Sequence, residues 1–177
     1  LLEDEPKDRL DILEDIIITG NTEEFEFYWK KIENSSIHKK ELLLFRTDQN
    51  QSILHLSAKH KFQFPRILNL TLSICDGKEE KMNFLTEDIF GDHDLILSVI
   101  MSDNYEYLEV LFVKLEEILG IQYMKNLFTD EEFLRARLIL FRPLIHNLDL
   151  KFLTLNWTKI KKYLTKQELV EFFNLKN

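Results

Sequence analysis

Ser52-Ile53-Leu54-His55-Leu56-Ser57-Ala58, opened by the polar turn Asp48-Gln49-Asn50-Gln51, is the stretch on which the fold turns. Its apolar positions read as a short helix with one buried face, entered from a tight loop. Asn50 suits that loop because Asn tolerates positive φ.

Working outward, the same arrangement recurs on both sides. Leu10, Leu13, Ile16 and Ile17 fall at helical spacing, and Thr19-Gly20-Asn21 stops that helix with a C-terminal Gly. Thr22 is expected to cap a second helix, with Glu23 and Glu24 in its first turn and Phe25, Tyr28, Trp29 and Ile32 as its buried stripe. The helix from Ser52 to about Lys61 finds a partner from Pro65 to about Cys75, where Pro65 suits the opening turn. A third pair runs from Asp94 to about Met101 and from Tyr105 to Leu119. A fourth runs from Glu131 to about Phe141 and from Leu148 to Tyr163. Thr165 and Glu168 make a capping box for a terminal helix over 165–173. Polar connectors are expected at Glu33 to Lys40, Asp76 to Glu80 and Gly120 to Lys125. Asn21, Asn104 and Asn147, with the Lys61-Phe62 junction, mark turns at a period of roughly 42 residues, the signature of a helical-hairpin solenoid.

Ser52 to Ala58 resembles the first-helix signature of the ankyrin repeat, Thr-Pro-Leu-His-x-Ala-Ala, with Ser for Thr, Ile for Pro and Ser for the first Ala. Asn50 stands where that family has its turn Gly. Asp88 to Val99 resembles a second copy, keeping Asp88 and Gly91 but carrying His93 and Ile96 in place of the Thr and His. The resemblance implies an all-α, ankyrin-like solenoid of three to four divergent repeats forming one domain over 1–177. The repeats run roughly 10–46, 47–87, 88–128 and 129–164. Few, divergent repeats of this kind are similar to inhibitor-of-NF-kappa-B-like and pathogen or viral ankyrin proteins. The period exceeds the ankyrin ~33 by about nine residues, and HEAT and armadillo units run at ~40–47, so a HEAT-type adaptor is the alternative architecture.

Composition sets limits on function. The net charge of −8 argues against a general nucleic-acid binder, since phosphate neutralisation needs clustered Lys and Arg. The charge is uneven: acidic residues crowd the first 26 positions, and Lys151, Lys159, Lys161, Lys162 and Lys166 make the other end basic. Self-association between those two regions is one consequence to expect. No apolar run approaches the ~18 residues of a membrane span, so no membrane partner is expected. The single Cys75 excludes an internal disulfide framework and suits a reducing, intracellular (cytoplasmic or nuclear) setting. A chain that starts at Leu1 rather than Met reads as a piece of a longer protein.

Candidate chemistry is sparse. His55 has no nucleophile or carboxylate at a motif-like spacing; the resemblance gives it a structural job, tying adjacent turns through its ring nitrogens. Cys75 ends an apolar stripe, which suits a buried, inert thiol. No Cys-x-x-Cys, His-x-x-x-His, calcium-loop or phosphate-loop pattern occurs, so no catalysis, metal or cofactor is expected. The resemblance instead implies binding of a protein or peptide on a concave surface of turn tips and helix ends. The residues it names are Asp48, Gln49, Gln51, Lys59, His60, Ile89, Phe90, Asp92, Ile100 and Met101, with Phe90 as an aromatic anchor at a turn tip. A further alternative is the regulatory or substrate-recruiting region of a larger enzyme.

Overall fold

The computed structural model describes residues 6–32, 36–47, 51–90, 95–102, 104–129 and 150–174, and among them the all-α expectation is met: no strand occurs, and Arg46 and Ser52 make an isolated antiparallel bridge. The chain divides into two units, Leu1–Ser102 and Asp103–Asn177.

The first unit opens with a hairpin of α1 (Pro6–Thr19) and α2 (Thr22–Ile32). The Gly20 N–H donates to the Ile17 carbonyl and the Asn21 N–H to the Ile16 carbonyl, each at 3.2 Å, the paired bonds of a Schellman stop. Gly20 stands at φ +69°, where a Cβ is disfavoured, so the turn requires this residue type. Thr22 does not cap α2 as expected; Asn21 does. Its Oδ1 accepts the Glu24 N–H at 3.1 Å while its amide donates to the Glu24 carboxylate at 3.0 Å. Asn is as strong a cap as Thr, and the tight stop after Gly20 leaves Asn21 in the flanking position. The apolar stripe of α2 is buried as read, with Phe25, Tyr28, Trp29 and Ile32 all at 5% exposure or less.

A second hairpin is formed by α4 (Ile53–Lys59) and α5 (Phe64–Ile74), with Pro65 in the opening turn of α5. Their junction repeats the Schellman bonds: Lys61 N–H to the Ala58 carbonyl at 3.2 Å, and Phe62 N–H to the Ser57 carbonyl at 2.9 Å. Here Lys61, at φ +56°, stands in the left-handed position that Gly20 fills in the first hairpin. Phe62 is drawn inward and meets Phe25 edge-on at 5.4 Å between centroids. The Arg66 guanidinium pairs with Glu26 and lies over the Phe25 ring, so α2 and α5 are joined by aromatic and charged contacts. α4 packs against α1, α5 and the later helix α7 (Leu95–Met101).

The connectors differ from expectation. Of the expected connectors, residues 36–40 open helix α3 (Ser36–Leu44), 77–80 open α6 (Gly77–Phe90), and 121–125 open α9 (Ile121–Thr129) in the second unit. Polarity was the misleading signal, because a helix needs only a narrow apolar stripe. α3 buries Leu42 and Leu43, and α6 buries Phe84 and Leu85.

The second unit holds α8 (Tyr105–Leu119), α9, α10 (Leu150–Tyr163) and α11 (Lys166–Asn174). Asn104 caps α8 by accepting the Tyr107 N–H at 3.3 Å. Gly120, at φ +88°, turns the chain directly from α8 into α9. Leu108, Leu111, Phe112 and Leu115 of α8 meet a core completed by Met124, Leu127, Phe128, Ile160 and Tyr163. The terminal capping box is present: Thr165 N–H donates to Glu168 Oε2 at 2.9 Å, and Glu168 N–H donates to Thr165 Oγ1 at 3.3 Å. The expected helix at 131–141 and the turn at Asn147 lie outside the described residues.

Candidate functional site

His55 is 1% exposed. The Ser52 N–H donates to its Nδ1 at 3.1 Å, and the Ser52 hydroxyl lies 2.9 Å from the same nitrogen. A backbone N–H can only donate, so Nδ1 carries no proton and the ring proton sits on Nε2. His55 thereby closes a capping box at the start of α4, standing where Glu or Gln is usual. The geometry is that of a structural pin. Cys75 is likewise buried: its thiol lies 3.4 Å from the Thr71 carbonyl, and burial pushes its pKa up, away from the reactive thiolate.

The residues expected to bind a partner divide into three groups. Asp48, Gln49 and Asp92 lie outside the described residues. Ile89 and Phe90 belong to the last turn of α6, which ends at Phe90, and the rest of the expected turn, residues 91–94, lies outside the described residues. The acidic first turn at Glu79 and Glu80, the latter accepting the Asp76 N–H, starts that helix at Gly77, within the expected connector. Gln51, Lys59, His60, Ile100 and Met101 are described. Gln51 pairs with Thr47: its carbonyl accepts the Thr47 N–H at 2.9 Å, and its own N–H donates to Thr47 Oγ1 at 3.1 Å. Lys59 is exposed in the last turn of α4, and His60 is half-buried as its C-cap. Ile100 is half-buried, and Met101 is 73% exposed at the end of α7.

These positions share a scaffold. α1, α4 and α7 form a row with α4 in the middle, and Lys59 and Met101 occupy corresponding C-terminal places on two packed neighbours. An isolated bridge between Arg46 and Ser52 stands just ahead of α4. Seven-residue helices expose their ends after only two turns, so end residues make up much of their outer surface.

Two surface features escaped the reading of the sequence. A groove of about 670 Å³ beside α3 and α5 is lined by Lys39, Lys40, Glu41, Leu44, Ser73, Ile74 and Asp76. Lys40 crosses it to Asp76 at 3.1 Å and Glu80 at 2.8 Å, hydrogen bonds that raise the Lys40 pKa and lower that of Glu80. The groove could not be anticipated while α3 was taken for a connector. The second feature is Phe27, 63% exposed on α2, with the Lys31 ammonium 4.0 Å from its ring centroid. Its place off the Phe25–Ile32 stripe was the available signal.

Among the described residues no group of three or more His, Cys, Asp or Glu side chains could hold a metal ion, and no helix is long and apolar enough to cross a membrane. Comparison with protein-family models, with curated proteins and with solved structures finds no match to this chain.

Proposed function

We propose that this chain is an ankyrin-like interaction scaffold that binds a partner protein or peptide and has no catalysis of its own. The observation that carries the reading is the row of α1, α4 and α7, with Lys59 and Met101 at matching ends of its two short helices. A cation and a flexible thioether, both exposed, offer a partner one polar and one apolar contact. Preformed helix ends lose little entropy on binding, so even a few contacts give useful affinity. The lone buried thiol suits action in a reducing compartment inside the cell.

The double substitution Lys59→Ala and Met101→Ala tests this. Affinity capture on the parent chain, followed by mass spectrometry, should retain partners that the double variant loses by tenfold or more. Exposed side chains contribute little to folding, so its melting temperature should stay within about 2 °C of the parent. Undiminished capture would sink the site assignment.

One observation favours a second reading. If residues 10–46 and 47–87 are repeats, the third helices α3 and α6 give each of them three helices, as in armadillo units. On that reading Leu44→Glu and Ile74→Glu, in the groove beside α3, would abolish capture while the Lys59 and Met101 variant would not.

A further inference from the structure

In the second unit, tight packing stops abruptly at one point in the chain. α10 is pinned along its last turn, where Ile160 and Tyr163 are buried, as is Leu164 just after it. There the Tyr163 hydroxyl donates to Glu116 of α8 at 2.7 Å, and Lys162 pairs with the same carboxylate at 2.5 Å. The Leu164 N–H makes the closing bond of α10, to the Ile160 carbonyl at 2.9 Å. Thr165 then interrupts the helix and starts another, its carbonyl accepting the Leu169 N–H at 2.9 Å.

Beyond that joint the burial changes. Of the α11 side chains that are described, Lys166 to Val170, none is buried; Glu168 and Leu169 are half-buried, and Val170 is 59% exposed. The described core of the unit is drawn from α8, α9, α10 and Leu164, just before the joint. α11 rests on α9, where Lys125 Nζ lies 2.5 Å from Glu168 Oε1, with the two side chains 29% and 23% exposed. A nine-residue helix is marginal by itself in water, because helices shorter than ~12–15 residues do not recover the cost of nucleation. Docking onto α9 therefore decides whether α11 stays folded.

We propose that α11 is a releasable strap: it lifts from α9 and melts as a unit at the Thr165 joint while α8, α9 and α10 stay packed, and the Lys125–Glu168 pair sets how often. Release bares the face of α9 beneath it, Lys125 included, so the device switches that face between covered and open. Glu168 has two separable tasks. Its Oε2 accepts the Thr165 N–H and hydroxyl, each at 2.9 Å, which builds the start of α11. Its Oε1 takes Lys125, which docks the finished helix. Gln can perform the first task, since a capping box accepts either residue, but it lacks the charge for the second.

Amide hydrogen exchange on the whole chain at pH 7.5, read by mass spectrometry of peptides from each helix, tests this. In the parent, α11 amides should be protected about tenfold less than those of α8 and α10, the mark of a separate opening. Lys125→Met and Glu168→Gln should each lower α11 protection by a further factor of about three to five and leave α8 unchanged. The double variant should match the single ones, because both remove the same contact. Equal protection of α11, α8 and α10 in the parent would overturn the strap, as would variants that weaken all three helices alike. Single variants without effect on α11, or a double variant that sums their effects, would overturn the role of the pair.

Discussion

At the scale of single residues, two left-handed turns show how similar geometry is reached by different side chains. Gly20 and Lys61 occupy the same place in the two Schellman stops, at φ +69° and +56°. A Cβ in that region costs ~1 kcal/mol or more, which Lys61 bears and Gly20 does not. Lys61→Gly should therefore raise unfolding free energy by about 1 kcal/mol in urea titration, while Lys61→Val should lower it. His55 shows the converse, a polar group that burial makes indispensable. Replacing it with Leu leaves the Ser52 N–H without its acceptor in the core, and the expected loss is about 2 kcal/mol in the same titration. A structural role for His55 was implied by the resemblance, but not its bond to Ser52. The left-handed Lys61 was not visible in the sequence, because Lys is no marker of positive φ.

At the scale of elements, helix starts were more legible than connectors. Thr165 and Glu168 announced α11, and the structure adds Lys125 of α9, 2.5 Å from the same carboxylate. Hydrogen bonds from Lys125 and from the Thr165 backbone and hydroxyl hold the Glu168 pKa down to about 2 from its ordinary 4.5. A depressed carboxylate adds stability that is complete above its unfolded pKa and fades as pH falls through the folded value. The second unit should lose stability between about pH 4.5 and pH 2, and Glu168→Gln should flatten that acid limb without sharing it. Thermal melts followed by circular dichroism across this range would check both. Lys125 could not be linked to Glu168 from the sequence, since residues 120–125 read as a loop and the two positions lie 43 apart. The hidden helices α3 and α6 had the same cause, apolar stripes too narrow to stand out in polar surroundings.

At the scale of the whole molecule, the position of each helix in its unit decides what its residues are worth. α4 is among the shortest helices described, yet it touches α1, α5 and α7, and six of its seven residues are buried. Leu54→Ala should cost about 3 kcal/mol in equilibrium unfolding, whereas Val113→Ala, on the 41% exposed face of α8, should cost under about 1 kcal/mol.

What the sequence by itself determined is the local grammar: the all-α class, the first hairpin and its stop, the stripe of α2, the turn at Asn104 and the cap of α11. Each of these rests on neighbours within about one helical turn, where spacing and side-chain type act directly. Only the tertiary structure decided that α4 is central, that Phe90 ends a helix, that Phe27 faces outward, and that Lys125 reaches Glu168. Those outcomes depend on which apolar stripes find one another across long stretches of chain, and burial there overrides local polarity.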